Sequence, residues 1–278
     1  VTSGANIEAA GKITSDETTL RFGCEIRRFD QLYPGEADGR ADVSGTVALR
    51  GNALQQFELS ADVSNQSQPV RLPFAGGITF DTAVVEVLAR GGAQGSWTAQ
   101  INSDDVQSSI LSADLLALSG AGVLEQAETG GLVSIGGELS ASGNDLRMAD
   151  PRLARALGQE PSVVAEFDWT QDSARLTLDQ FTLTTEGIDA SGSALVRDTL
   201  SNPDAQFAVN VIARDFAPLS GVLGQPLQGR GTVDVTGRYT QDGPFDVTLD
   251  GQASGLGLGN PFINRLLAGV TTFHANVV

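Results

Sequence analysis

One histidine (His274), one cysteine (Cys24) and one lysine (Lys12) in 278 residues leave most catalytic chemistry without its side chains. A histidine-clustered metal, a cysteine-held zinc, a disulfide and a lysine-dependent phosphate loop are excluded. Basic residues are few as well. With 17 of them against 34 acidic ones the formal net charge is −17, which argues against nucleic acid or an anionic membrane surface as partner. Aromatic residues make up only 6%, yet 41% of the chain is hydrophobic, enough for a large core and too much for disorder. No apolar run approaches the ~20 residues of a membrane-spanning helix. The first residues, VTSGANIEAAGK, lack the basic start and apolar stretch of a signal peptide, and residues 269–278 stop inside an alternating pattern. Both features lead to the expectation of a piece cut from a longer chain.

What the chain has in quantity is glycine, 33 residues without a collagen-like triplet, and period-two alternation of apolar and polar side chains. The alternation runs through Val43, Gly45, Val47 and Leu49, then Phe57, Leu59, Ala61 and Val63, then Trp97, Ala99 and Ile101. It resumes at Val133, Ile135, Gly137 and Leu139, at Val163, Ala165, Phe167 and Trp169, and at two short runs, Leu176 with Leu178 and Phe181 with Leu183. Ile188 opens another, and Phe207, Val209 and Val211, then Val233, Val235 and Tyr239, then Phe245, Val247 and Leu249 complete the series. Between runs stand short turns such as Arg50-Gly51-Asn52 and Gln171-Asp172-Ser173. Strands joined this tightly are antiparallel neighbours. The fold class is therefore all-β: a long antiparallel meander of about 17 strands at the usual strand length, with a few short helical insertions.

Two breaks in the pattern match each other. Residues 150–158 read DPRLARALG and residues 260–269 read NPFINRLLAG. Asp150 and Asn260 suit the N-cap, Pro151 and Pro261 the first helical position, and Gly158 and Gly269 the point where a helix stops. Leu153, Ala156 and Leu157 correspond to Ile263, Leu266 and Leu267, a single apolar stripe that would plug a groove or act as its lid. A second echo links residues 27–49 with 213–237 and, more loosely, 112–140. In each, a strand gives way to a short apolar knot of helical character before a Gly-initiated strand resumes. These echoes describe one continuous array of divergent repeats, approximately 1–112, 113–213 and 214–278, with no independent second domain.

Familiar motifs dissolve on inspection. SGLGLGNPF (254–262) places Asn260 at the third glycine of a dinucleotide-binding turn, so it reads as a strand-to-helix turn. Asp104-Asp105 and the group Glu36, Asp38 and Asp42 follow no calcium-loop spacing and read as solvated face and hairpin tips. His274 stands four residues from the end of the sequence with no recognisable triad, and Cys24 reads as a small apolar packing residue. The expected function is non-catalytic and needs no cofactor or metal.

The apolar face is the one feature repeated often enough to carry function. Its expected members are Val47, Leu49, Phe57, Leu59, Val63, Trp97, Ile101, Val133, Ile135, Leu139, Val163, Phe167, Trp169, Leu176, Leu178, Phe181, Leu183, Ile188, Phe207, Val209, Val211, Val233, Val235, Phe245, Val247 and Leu249. A closed β-sandwich binding module and a structural or adhesive β-rod are the alternatives. The almost continuous meander favours instead a sheet curled into a groove whose apolar lining stays uncovered, which implies an apolar ligand.

The phrases ADVSGTVALRGN, LSGVLGQPLQGRGTVDVTGRYTQDGPFDVTLDGQASGL and DPRLARALG resemble the repeat-rich middle of the TamB family, within the AsmA-like repeating β-groove superfamily. The resemblance is one of repeat style, covers essentially the whole chain and contains no catalytic motif. It implies an open U-shaped β-taco and a bridge-like phospholipid transporter in the periplasm of a Gram-negative bacterium, with a part in outer-membrane protein assembly (a translocation and assembly module). It further implies an N-terminal inner-membrane anchor and a C-terminal part meeting a TamA-like outer-membrane protein, neither of which is recognisable in these residues.

Overall fold

The computed structural model describes residues 5–14, 16–31, 38–65, 68–72, 78–92, 94–127, 131–198, 203–217, 220, 226–240, 243, 245–267 and 269–277. The chain forms two compact units, Val1–Asp145 and Leu146–Val278. Both are nearly all antiparallel β, and the strands do not close into a barrel, as the alternation predicts.

In the first unit the strands are β1 (Ala5–Ile13), β2 (Glu17–Ile26), β3 (Arg40–Arg50), β4 (Ala53–Ser64), β5 (Val70–Arg71), β6 (Thr79–Phe80), β7 (Thr82–Arg90), β8 (Gly95–Gln107), β9 (Leu111–Gln126) and β10 (Leu132–Asn144). Each pairs with the next from β1 to β4. There the meander makes an excursion: β4 pairs with β7, while the short β5 and β6 pair with each other and β6 also pairs with β8. From β7 the simple order resumes to β10. The second unit holds β11 (Arg147–Met148), α1 (Pro151–Leu157), β12 (Ser162–Thr170), β13 (Arg175–Thr184), β14 (Ile188–Arg197), β15 (Asp204–Ala213), β16 (Gln228–Thr240), β17 (Phe245–Gly257), α2 (Pro261–Leu266) and β18 (Val270–Val277). Its strands β12 to β18 pair strictly in sequence.

Three expectations are corrected. Residues 112–126 hold no helical knot but belong to the 16-residue β9, because Leu116, Leu118, Gly120, Gly122 and Leu124 alternate against β8 and β10 on both sides. The two runs Leu176/Leu178 and Phe181/Leu183 are one strand, β13, with a bulge between Leu178 and Phe181. The extra residue restores the side-chain parity that the sequence loses there, so all four side chains point to one face. Gly158 does close α1 in a left-handed conformation (φ 69°), its N–H donating to the Ala154 carbonyl. Gly269 takes no such part, since α2 already stops at Leu266. At the other end Asn260 caps α2 as expected, its Oδ1 accepting from the Phe262 N–H at 2.9 Å.

The echo between residues 27–49 and 213–237 has a structural counterpart. Phe29 opens a 3-10 turn, Phe29–Gln31, and its N–H donates to the Gly39 carbonyl at 2.9 Å. Phe216 likewise donates to the Gly229 carbonyl at 2.8 Å. Each ring packs into a small core. Phe29 joins Val70, Phe80, Ala83 and Val106, and Phe216 joins Ala213 and Ala253. Most of the knot after Phe216 lies outside the described residues.

Candidate functional site

Register decides which side chains share a face, because residues directly opposite on neighbouring strands point the same way. In the first unit one row runs Leu20, Val47, Phe57, Ala89, Trp97 and Gly122 across β2, β3, β4, β7, β8 and β9. The rows beside it join Leu59, Val87, Ala99, Gly120 and Leu139, and Ala61, Val85, Ile101 and Leu118. Leu49 and Val63 continue the same face on their strands, Ile135 stands opposite Leu124, and Val133 lies at a register shift between Leu132 and Ser134.

The second unit builds the same surface. Val163 with Leu183, Phe167 with Leu178, and Trp169 with Leu176 link β12 to β13, and Phe181 stands opposite Gly192 of β14. Ile188 faces Ala213. Val209 and Val235 face each other and lead to Leu249, Val211 faces Val233, Phe207 leads through Gly237 to Val247, and Phe245 faces Tyr239. Apart from Val133, which stands at that register shift, these residues lie on one apolar face in their own unit. Cys24 lies on that face between Ile7 and Val43, half-buried and free of any disulfide.

The chain does not bury this face as a sandwich would. Of the expected lining only Trp97 and Val247 are buried, Ile101, Val163 and Phe245 are exposed, and the others are half-buried. The closed sandwich is therefore set aside. Within both units one margin of the sheet carries the short connections between β1 and β2, β3 and β4, β7 and β8, β9 and β10, β12 and β13, β14 and β15, and β16 and β17. The other margin carries the longer insertions, including the caps of Phe29 and Phe216, both helices and the β5–β6 hairpin. The sequence reading missed these phenylalanines as margin residues. Their signal was a Phe grouped with an Arg and an Asp ahead of a glycine-initiated strand, Arg28-Phe29-Asp30 and Arg214-Asp215-Phe216.

The opposite face is polar and carries the protein's charge. Asp42 stands opposite Asp62, and Asp234 opposite Asp250. Shallow concavities of about 330 Å³ and 650 Å³ open there, beside Glu25, Asp42 and Asp62 and beside Asp234, Asp250 and His274. Arg27 donates to Glu25 at 3.0 Å, and this hydrogen bond holds the Glu25 carboxyl below its ordinary range. Asn210 donates to Asp234 at 2.8 Å, and His274 Nδ1 lies 2.8 Å from Asp250 Oδ1. Asp104 accepts from Thr82 at 2.6 Å and Asp105 from Gln107 at 3.2 Å, while Glu36 lies outside the described residues. Among the described residues no group of three or more His, Cys, Asp or Glu side chains is placed to hold a metal ion.

The helices contact the strand just before each of them, α1 against β11 and α2 against β17. Asn264 on α2 accepts from the Leu258 N–H at 2.8 Å, a bond that pins the helix to the end of β17. Leu157 and Leu267 are half-buried, and the side chains of Leu153, Ile263 and Leu266 lie outside the described residues. Among those residues no helix is long and apolar enough to cross a membrane, which leaves β-barrel spans untouched. Comparison with protein-family models, with curated proteins and with solved structures found no match.

Proposed function

We propose that the apolar face is a non-catalytic track for lipid acyl chains, part of a bridge-like phospholipid transporter of the TamB kind. The observation that carries this reading is the apolar face of each unit, most of which is half-buried among the described residues rather than closed over as a core. A sixteen-carbon chain exposes roughly 13 kcal/mol of transfer free energy to water at ~0.8 kcal/mol per methylene. A lining of Val, Leu, Ile, Phe and Trp removes most of it without any nucleophile or cofactor. The hairpin margin leaves headgroups in water, and the capped margin closes the opposite side. Because burial is non-directional, near-equivalent rows of lining offer an acyl chain successive positions of similar energy. On this reading the chain works in the periplasm, between an inner-membrane anchor and a TamA-like outer-membrane partner carried by other segments.

Purification without detergent, followed by native mass spectrometry, is expected to show co-purifying phospholipid. Lipid-free protein from a lipid-replete cell would sink the proposal. The helices belong to the margin and are expected not to move. A disulfide tying α2 to β17, introduced after removal of Cys24, leaves lipid transfer at the uncrosslinked rate, and a drop on crosslinking would instead make α2 a lid.

A further inference from the structure

On the apolar face several aromatic rings reach over glycines of the neighbouring strand. Phe273 stands opposite Gly251, and the three atoms nearest the place where a Cβ would sit on that glycine are all ring atoms of Phe273. Phe207 stands opposite Gly237, its Cζ 2.5 Å from the same position there. Trp97 reaches over Gly120, with two ring atoms 2.8 Å from the Cβ position. Such distances are shorter than real Cβ atoms tolerate, so each ring occupies the volume of the side chain that glycine lacks. With any larger residue below, the ring must rise from the sheet.

We propose that these ring-over-glycine seats set the depth of the apolar track, keeping the bulkiest lining side chains low enough for a straight acyl chain to lie across them. This rests on the acyl-chain reading above. The physical cause is that a methyl group cannot share space with a seated ring, and overpacking is relieved only by turning the ring into the track. The affinity for a straight chain therefore depends on the glycine beneath as much as on the ring above.

The test uses the full chain and cis-parinaric acid, an unbranched fluorescent fatty acid, in a binding titration. Gly251→Ala is expected to weaken binding about fivefold or more, and Gly251→Ala with Phe273→Ala to return it to within about twofold of the parent. Gly23→Ala is the control, because a methyl added there on the polar face meets no atom within 4 Å. A folded Gly251→Ala chain that binds like the parent overturns the inference. So does a loss that removal of Phe273 fails to recover. If Gly251→Ala does not fold, Phe273→Ala alone decides: affinity equal to or above the parent's is expected, and a loss of more than about twofold makes the ring a contact and overturns the seat. A parent chain and Gly23→Ala that both bind no probe overturn the acyl-chain reading itself.

Discussion

Val247→Asp is expected to lower stability by about 3–5 kcal/mol, from lost apolar burial and the desolvation of a carboxylate that has no partner on that face. Val247 is 7% exposed and sits in the row of Phe207 and Gly237. A fall of roughly 10 °C in the thermal midpoint is the expected readout. Val209→Asp and Val235→Asp strike half-buried positions of the same face. They are expected to fold and to lose acyl-chain transfer, because the new carboxylate meets hydrocarbon where the parent offers a methyl. Thr232→Asp has the opposite parity, facing Gln252 and Ile212 on the polar side, and is expected to stay within about 0.5 kcal/mol of the parent with transfer intact. Folded variants of both parities that block transfer equally would disprove the assignment of the inner face.

Trp97→Ala carries the second large effect, about 4–5 kcal/mol by equilibrium denaturation. Trp97 is 9% exposed, its ring fills the space above Gly120 against Leu139, and its Nε1–H donates to the buried Gly136 carbonyl at 3.0 Å. Truncation empties that volume and leaves the carbonyl without this donor. Trp97→Phe keeps most of the ring and removes the bond, so it is expected to cost only about 1–2 kcal/mol. Equal losses in the two variants would mean that packing over Gly120 contributes nothing.

By itself the sequence determined parity within each unbroken strand run, and there parity was enough to place the expected lining residues on one face of their unit. Side-chain direction in a strand repeats every two residues, so Val233, Val235, Val247 and Leu249 could be assigned to one side without knowing their neighbours. Caps were legible for the same local reason, as Asn260 and Gly158 show. Only the tertiary structure decided which strand lies beside which. The pairing of β4 with β7, the bulge that brings Leu178 and Phe181 to one face, and the continuation of β9 through Gly120 and Gly122 all depend on partners distant in the chain. The seats of Phe273 on Gly251 and of Trp97 over Gly120 are likewise invisible to period and propensity. A glycine in a strand reads locally as a weak point, and only cross-strand register shows which ring fills the space it leaves.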